Sequence, residues 1–188
     1  MQMDSLSDQV LMKRIRSRDV DAFQVLYSRY EARIFNFVLR YAGDRALAED
    51  LLQETFWRVW QAAATFQSER GEFRSWLYQV ALNVVRTEMV HKRHTLEQAA
   101  ADPHSSDPKA GPADDPGDRL VQQENTTLVA KALSGLTPPM REVVILKCFE
   151  GMKFSEIASV TGTPEGTLKS RFHRAVAELR RRLVTGER

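Results

Sequence analysis

One cysteine in 188 residues excludes a disulfide framework and a cysteine-ligated zinc finger, and suits a reducing compartment. No apolar run approaches the ~18 residues that would span a bilayer, and residues 1–7 lack the pattern of a secretion signal. A soluble, cytoplasmic chain without membrane insertion is therefore expected. Neither sign of charge dominates, with 27 Lys and Arg against 25 Asp and Glu. Near-average composition excludes collagen-like, coiled-coil-only and wholly disordered chains. Glycine-rich phosphate loops, nucleophile elbows and catalytic-triad spacings are also missing, so no catalytic residue, no enzymatic activity and no cofactor is expected. His91 and His94 lie one helical turn apart, but two imidazoles leave a zinc site incomplete and no metal is assigned. Cys148, within an apolar run, is expected to be a buried thiol.

Seven prolines are few, and four of them (Pro103, Pro108, Pro112, Pro116) crowd into one stretch with Gly111 and Gly117. That stretch also holds the acidity: residues 96–125 carry seven acidic and two basic side chains, whereas residues 164–188 carry three and seven. Such a segment buries too little apolar surface to offset its ordering entropy. Residues 97–118 read as a flexible linker. The expected architecture is all-α, with small helical domains at 1–95 and 126–188 and a linker at 96–125.

In the first domain a helix begins at a Ser7 cap and runs to about residue 18. A second starts near Asp21 and carries Phe23, Leu26, Tyr27, Tyr30, Ile34, Phe37, Val38 and Tyr41 on one face at helical spacing. Gly43 ends it and Asp44 caps the third. The third helix buries Ala48, Leu51, Leu52, Thr55, Phe56, Val59 and Ala63, and turns Asp50, Gln53, Glu54 and Trp57 outward. A large exposed aromatic beside carboxylates marks an interface rather than a merely solvated face. A polar loop at 67–72 leads to a fourth helix whose buried stripe is Phe73, Trp76, Leu77, Val80, Ala81, Val84 and Val85, ended by Lys92, Arg93 and His94. Asn83 sits mid-helix, where its propensity is poor. It reads either as a buried structural amide or as part of a surface for single-stranded nucleic acid, which stacking and phosphate neutralisation would bind.

The second domain opens with a short helix over 128–133, ended by Gly135. Thr137-Pro138-Pro139 is a cap with proline at the first helical positions, and a helix follows over 141–150, stopped by Gly151. Residues 155–160 form a short helix and Thr161-Gly162-Thr163 a tight turn. Thr163 then caps a long helix whose core face is Leu168, Phe172, Ala175, Val176, Leu179 and Leu183. Helix, glycine turn, helix is the helix-turn-helix pattern, whose second helix enters the major groove. Thr167, Lys169, Ser170, Arg171, His173 and Arg174 are the groups available to bases and phosphates there.

These residues carry a family likeness. Ala48-Glu49-Asp50-Leu51-Leu52-Gln53-Glu54-Thr55-Phe56, with Phe73-Arg74-Ser75-Trp76-Leu77-Tyr78 and Asn83, resembles region 2 of bacterial sigma factors. Leu136-Thr137-Pro138-Pro139, Glu156-Ile157-Ala158 and Gly166-Thr167-Leu168-Lys169-Ser170-Arg171 resemble region 4. Two such domains alone resemble the extracytoplasmic-function class of the sigma-70 family. The resemblance implies a promoter-specificity subunit whose partners are the RNA polymerase core, promoter DNA and an anti-sigma factor. Asp50, Leu51, Gln53, Glu54 and Trp57 would meet the β′ clamp helices. Arg70, Phe73, Asn83, Arg86, Thr87, Lys92 and Arg93 would hold the melted minus-ten element. Thr167, Lys169, Ser170, Arg171, His173 and Arg174 would read the minus-thirty-five duplex, while the start of the second domain holds the β flap. The competing reading is a stand-alone helix-turn-helix regulator whose first domain senses a ligand or dimerises; the Asp50/Gln53/Glu54 face argues against it.

Overall fold

Local chemistry sets the helix boundaries. In this computed structural model, which describes residues 3–101, 129 and 131–185, α1 (Asp8–Arg16) begins where the Ser7 hydroxyl accepts from the Val10 N–H. The second helix, α2 (Val20–Ala42), starts slightly earlier than its apolar pattern suggested, because the Asp19 carboxylate accepts from the Ala22 N–H at 3.0 Å. Gly43, at φ 74°, closes α2 in the left-handed region, where a side chain would be strained. Asp44 then caps α3 (Arg45–Ala62), accepting from Leu47 N–H at 3.1 Å. The fourth helix, α4 (Phe73–Ala101), runs past the basic triplet expected to end it. No glycine or proline occurs between Phe73 and Pro103, so nothing interrupts the ladder, and residues 97–101 of the expected linker are helical. From residue 102 to 128 the linker expectation lies outside the described residues.

In the C-terminal unit, residues 131–134 are helical, followed by α5 (Pro138–Val144), whose axis continues as a π turn over Ile145–Phe149. The helix expected over 141–150 is thus real but split, its wide turn closed by the Glu150 N–H donating to the Ile145 carbonyl at 3.2 Å. The short helix α6 (Phe154–Thr161) opens with the Lys153 N–H donating to the Glu156 carboxylate at 2.6 Å and closes at Gly162, φ 68°. The last helix, α7 (Glu165–Thr185), starts with the Leu168 N–H on the Pro164 carbonyl, so Thr163 is not its cap. The Thr163 hydroxyl instead accepts from Arg171 at 3.4 Å. Leu168 and Ala175 are buried, while Val176, at the margin of that row, is 37% exposed and does not join the core. Leu183 lies outside the described side chains.

Leu26, Ile34, Phe37, Val38 and Val59 are fully buried with Leu77 and Val85, joining α2, α3 and α4. Each such side chain contributes about 1.5–3 kcal/mol. Among the described residues every regular element is helical, which is the all-α class expected. Beyond the predicted stripe, α4 also buries Tyr78 and Leu82, because it is packed on two sides: against α2 and α3, and against α6 of the C-terminal unit.

Candidate nucleic-acid and partner interfaces

On α3, Asp50 and Gln53 are exposed, and the half-buried Glu54 pairs with Arg58 at 2.6 Å. Trp57 is 55% exposed. It forms, with Val20, Phe23, Gln53, Phe56 and Trp60, an open depression of about 390 Å³. Carboxylates and amides spaced along one helix, beside an apolar hollow floored by aromatics, make a surface with directional contacts and area to bury. Leu51 does not belong to it: at 6% exposure it is core, supporting the face from behind.

Along α4, Asn83 and Thr87 are exposed one turn apart, with the Thr87 hydroxyl donating to the Asn83 carbonyl at 2.9 Å. Exposure removes the buried-amide reading of Asn83. Lys92 and Arg93 are exposed further along, Lys92 lying 3.9 Å from the Asp44 carboxylate. Phe73 sits elsewhere: 2% exposed and edge-on to Tyr30 and Phe66, it cannot stack on a base, and the expectation that it touches DNA is corrected. Its apolar stripe position, not its motif position, decided its place. Arg70 closes a short 3-10 turn (Ser68–Arg70) ahead of Gly71, whose φ of 145° favours glycine; the Arg70 side chain lies outside those described. Arg86 forks onto the Glu142 carboxylate, Nε at 2.8 Å and Nη2 at 2.6 Å, and that bond raises the guanidinium pKa above its ordinary value.

At the start of α7, Thr167, Arg171 and Arg174 share one face at i, i+4 and i+7, with Ser170 between them accepting from Arg174 at 3.2 Å. Lys169 and His173 are exposed on the flank, Lys169 lying 3.8 Å from Glu165. Ile157, Val160 and Leu168 anchor the two helices of the motif, and Phe154 packs edge-on to Phe172 at 5.9 Å. All six residues singled out from the sequence thus gather on one helix start. Arg182, further along, donates to the Gly135 carbonyl at 2.8 Å and pairs with Glu178, which its guanidinium and that of Arg181 hold down to a pKa of about 2.

Cys148 is exposed, contrary to expectation, because the π turn rotates it out of the apolar run; partial burial still raises its thiol pKa. Sequence reasoning also missed Glu142 and Glu150, which flank the same run. Glu142 is 4% exposed, a rare state for a carboxylate, and only the long-range partners described above explain it.

The family model described as Sigma-70 region 2 matches residues 26–95, and that described as Sigma-70, region 4 matches residues 127–179. The RNA polymerase sigma factor CarQ of Myxococcus xanthus is 34% identical over 169 residues, covering 90% of this chain and 93% of its own. The ECF RNA polymerase sigma factor BldN of Streptomyces coelicolor is 29% identical over 180 residues, 96% of this chain and 67% of its own. Among solved structures, CnrH in complex with the cytosolic domain of CnrY superposes with a TM-score of 0.71 at 25% identity, covering 95% of this chain and 97% of that one. The sigma factor RpoE of Bartonella quintana, solved with the anti-sigma factor NepR, shares the fold at a TM-score of 0.66 and 23% identity, over 86% of this chain and 96% of that one.

Proposed function

The chain belongs to the extracytoplasmic-function class of the sigma-70 family of RNA polymerase sigma factors, and from that premise we propose a division of labour among its three surfaces. Asp50, Gln53, Glu54 and Trp57 on α3 bind the core polymerase at the β′ clamp helices. Asn83, Thr87, Lys92 and Arg93 on α4, with Arg86 when it is free, hold the melted minus-ten strand. Thr167, Arg171 and Arg174, flanked by Lys169, Ser170 and His173, read the minus-thirty-five duplex. The protein works in the cytoplasm, performs no chemistry of its own, and has an anti-sigma factor among its partners, as the printed title says of RpoE from Bartonella quintana.

The observation that supports this reading best is the separation of the exposed groups. Trp57, with its carboxylate and amide neighbours, stands on one helix of the N-terminal unit, whereas the cationic and hydroxyl groups cluster at the start of the C-terminal unit's last helix. Protein contact favours the first mixture. Major-groove readout favours the second, because arginine forks onto guanine and hydroxyls reach bases or phosphates. Strand capture fits α4: flipping a base forfeits a few kcal/mol of stacking, which an exposed amide next to hydroxyl and cationic groups helps to offset.

The test uses the full chain with core polymerase. Asp50→Ala with Gln53→Ala should weaken core binding, while Arg171→Ala should cost about 1–3 kcal/mol at a matched minus-thirty-five site and leave core binding unchanged. If the α3 pair bound core normally and Arg171→Ala did not, the assignment of surfaces would be wrong.

A further inference from the structure

The two units are not merely tethered; two carboxylates of the C-terminal unit are held by side chains of the N-terminal one. Glu142 on α5 takes both forks of Arg86 from α4, and the Tyr41 hydroxyl from α2 donates to it at 3.3 Å. Eight residues on, Glu150 accepts from the Tyr78 hydroxyl of α4, with Arg40 of α2 3.7 Å away, and its backbone carbonyl accepts from Arg74. The Arg40 guanidinium also lies 4.6 Å over the Phe149 ring, and Arg141 donates to the Tyr41 carbonyl at 3.0 Å. The Glu142 and Glu150 side chains are 5% and 7% exposed, so neither is an ordinary surface ion pair. A shielded carboxylate is tolerated only with its full set of donors, so these contacts form together or are lost together.

Arg86 lies one turn beyond Asn83, on the helix that the functional reading gives to the melted strand. A guanidinium that grips a carboxylate through two parallel bonds grips a phosphate the same way. Beside it, Glu72, Ser75 and Gln79 face Lys153, Ser155 and Glu156 of the C-terminal unit across a cleft of about 610 Å³. We propose that the free chain is self-closed, with Glu142 occupying on Arg86 the place of a promoter phosphate and Glu150 forming a second latch, so that single-stranded DNA binds α4 only after the units part. The proposal rests on the assignment of α4 to the melted strand.

When only a fraction of molecules is open, apparent affinity falls by that fraction. Glu142→Gln with Glu150→Gln keeps the shape of both side chains and removes both charges. In the full chain this variant should have a larger radius of gyration by small-angle scattering and bind a fluorescent single-stranded DNA 15-mer about tenfold more tightly, a gain lost on adding Arg86→Ala. Helicity by circular dichroism checks that it folds. The wild-type chain supplies an independent arm: because coupling is reciprocal, saturating 15-mer should expand it. An unchanged radius in both arms, or expansion of the variant without tighter DNA binding, would overturn the latch. Core-polymerase binding is measured alongside. If the wild-type chain failed to bind core, the functional reading would fall, while the radii would still decide the latch.

Discussion

Replacing Trp57 by alanine removes the largest exposed apolar group of the polymerase-facing surface. A tryptophan presents up to ~250 Å², and Trp57 is 55% exposed, so ~140 Å² of it is free for a partner to cover. At ~25 cal/mol per Å², complete covering is worth about 3 kcal/mol. Ordering and desolvation at an interface trim such figures, leaving about 2–3 kcal/mol, a loss of roughly 30- to 150-fold in affinity for core polymerase. The shielded part of the ring lines the hollow with Phe56 and Trp60, so its removal also costs the fold about 1–2 kcal/mol. Competition titration against the wild-type chain for core polymerase, well below the thermal midpoint and with helicity matched, isolates the binding effect. Wild-type affinity in Trp57→Ala would refute the reasoning. So would an equal loss in Arg171→Ala, since that would report general destabilisation rather than a lost contact.

Asn83→Ala should impair promoter opening more than closed-duplex binding, with an unchanged thermal midpoint, because its side chain is exposed; equal loss of both complexes would argue against strand capture. Phe73→Ala, three residues beyond the 3-10 turn that carries Arg70, should instead cost about 3–5 kcal/mol of stability in a denaturant titration; a near-neutral effect would contradict its burial. The Cys148 thiol is exposed, but burial raises its pKa, so its thiolate fraction at neutral pH lies below that of an unperturbed thiol. Alkylation by iodoacetamide should therefore be slow at pH 7 and climb without a plateau through pH ~8.5; a plateau below that value would contradict the shift.

Features governed by neighbours in the chain were legible before any coordinates. Ser7 and Asp44 cap where a hydroxyl or carboxylate precedes an apolar-periodic run, and Gly43 and Gly162 sit where helices must end in left-handed backbone. Trp57 was read correctly as exposed, since it opposes the Leu51–Phe56–Val59 stripe. Failures came where distant contacts decide. Tyr78 and Leu82 looked peripheral because one apolar stripe was assigned to a helix that has two packed sides. Phe73 received a recognition role from its motif, although its place in the apolar periodicity already put it inside. Arg86 was read by charge as a nucleic-acid contact, and its carboxylate partner 56 residues away has no local signature. Cys148 failed differently: helical spacing was extrapolated across a turn that does not keep it.

That same wide turn over Ile145–Phe149 has a lineage-level consequence. A π turn houses one residue more than an α-helical turn, so deleting a single codon there would restore the regular ladder and rotate everything downstream by ~100° relative to α5. Glu142, upstream, would keep its heading, while Glu150 would swing away from Arg40 and Tyr78 and Phe149 away from the Arg40 guanidinium. Homologues that differ by one residue in this segment therefore differ in whether their two halves can grip each other at both points, even where every gripping residue is retained. Gaps in this segment, more than substitutions at its charged positions, sort such chains into those that fasten at both points and those that do not.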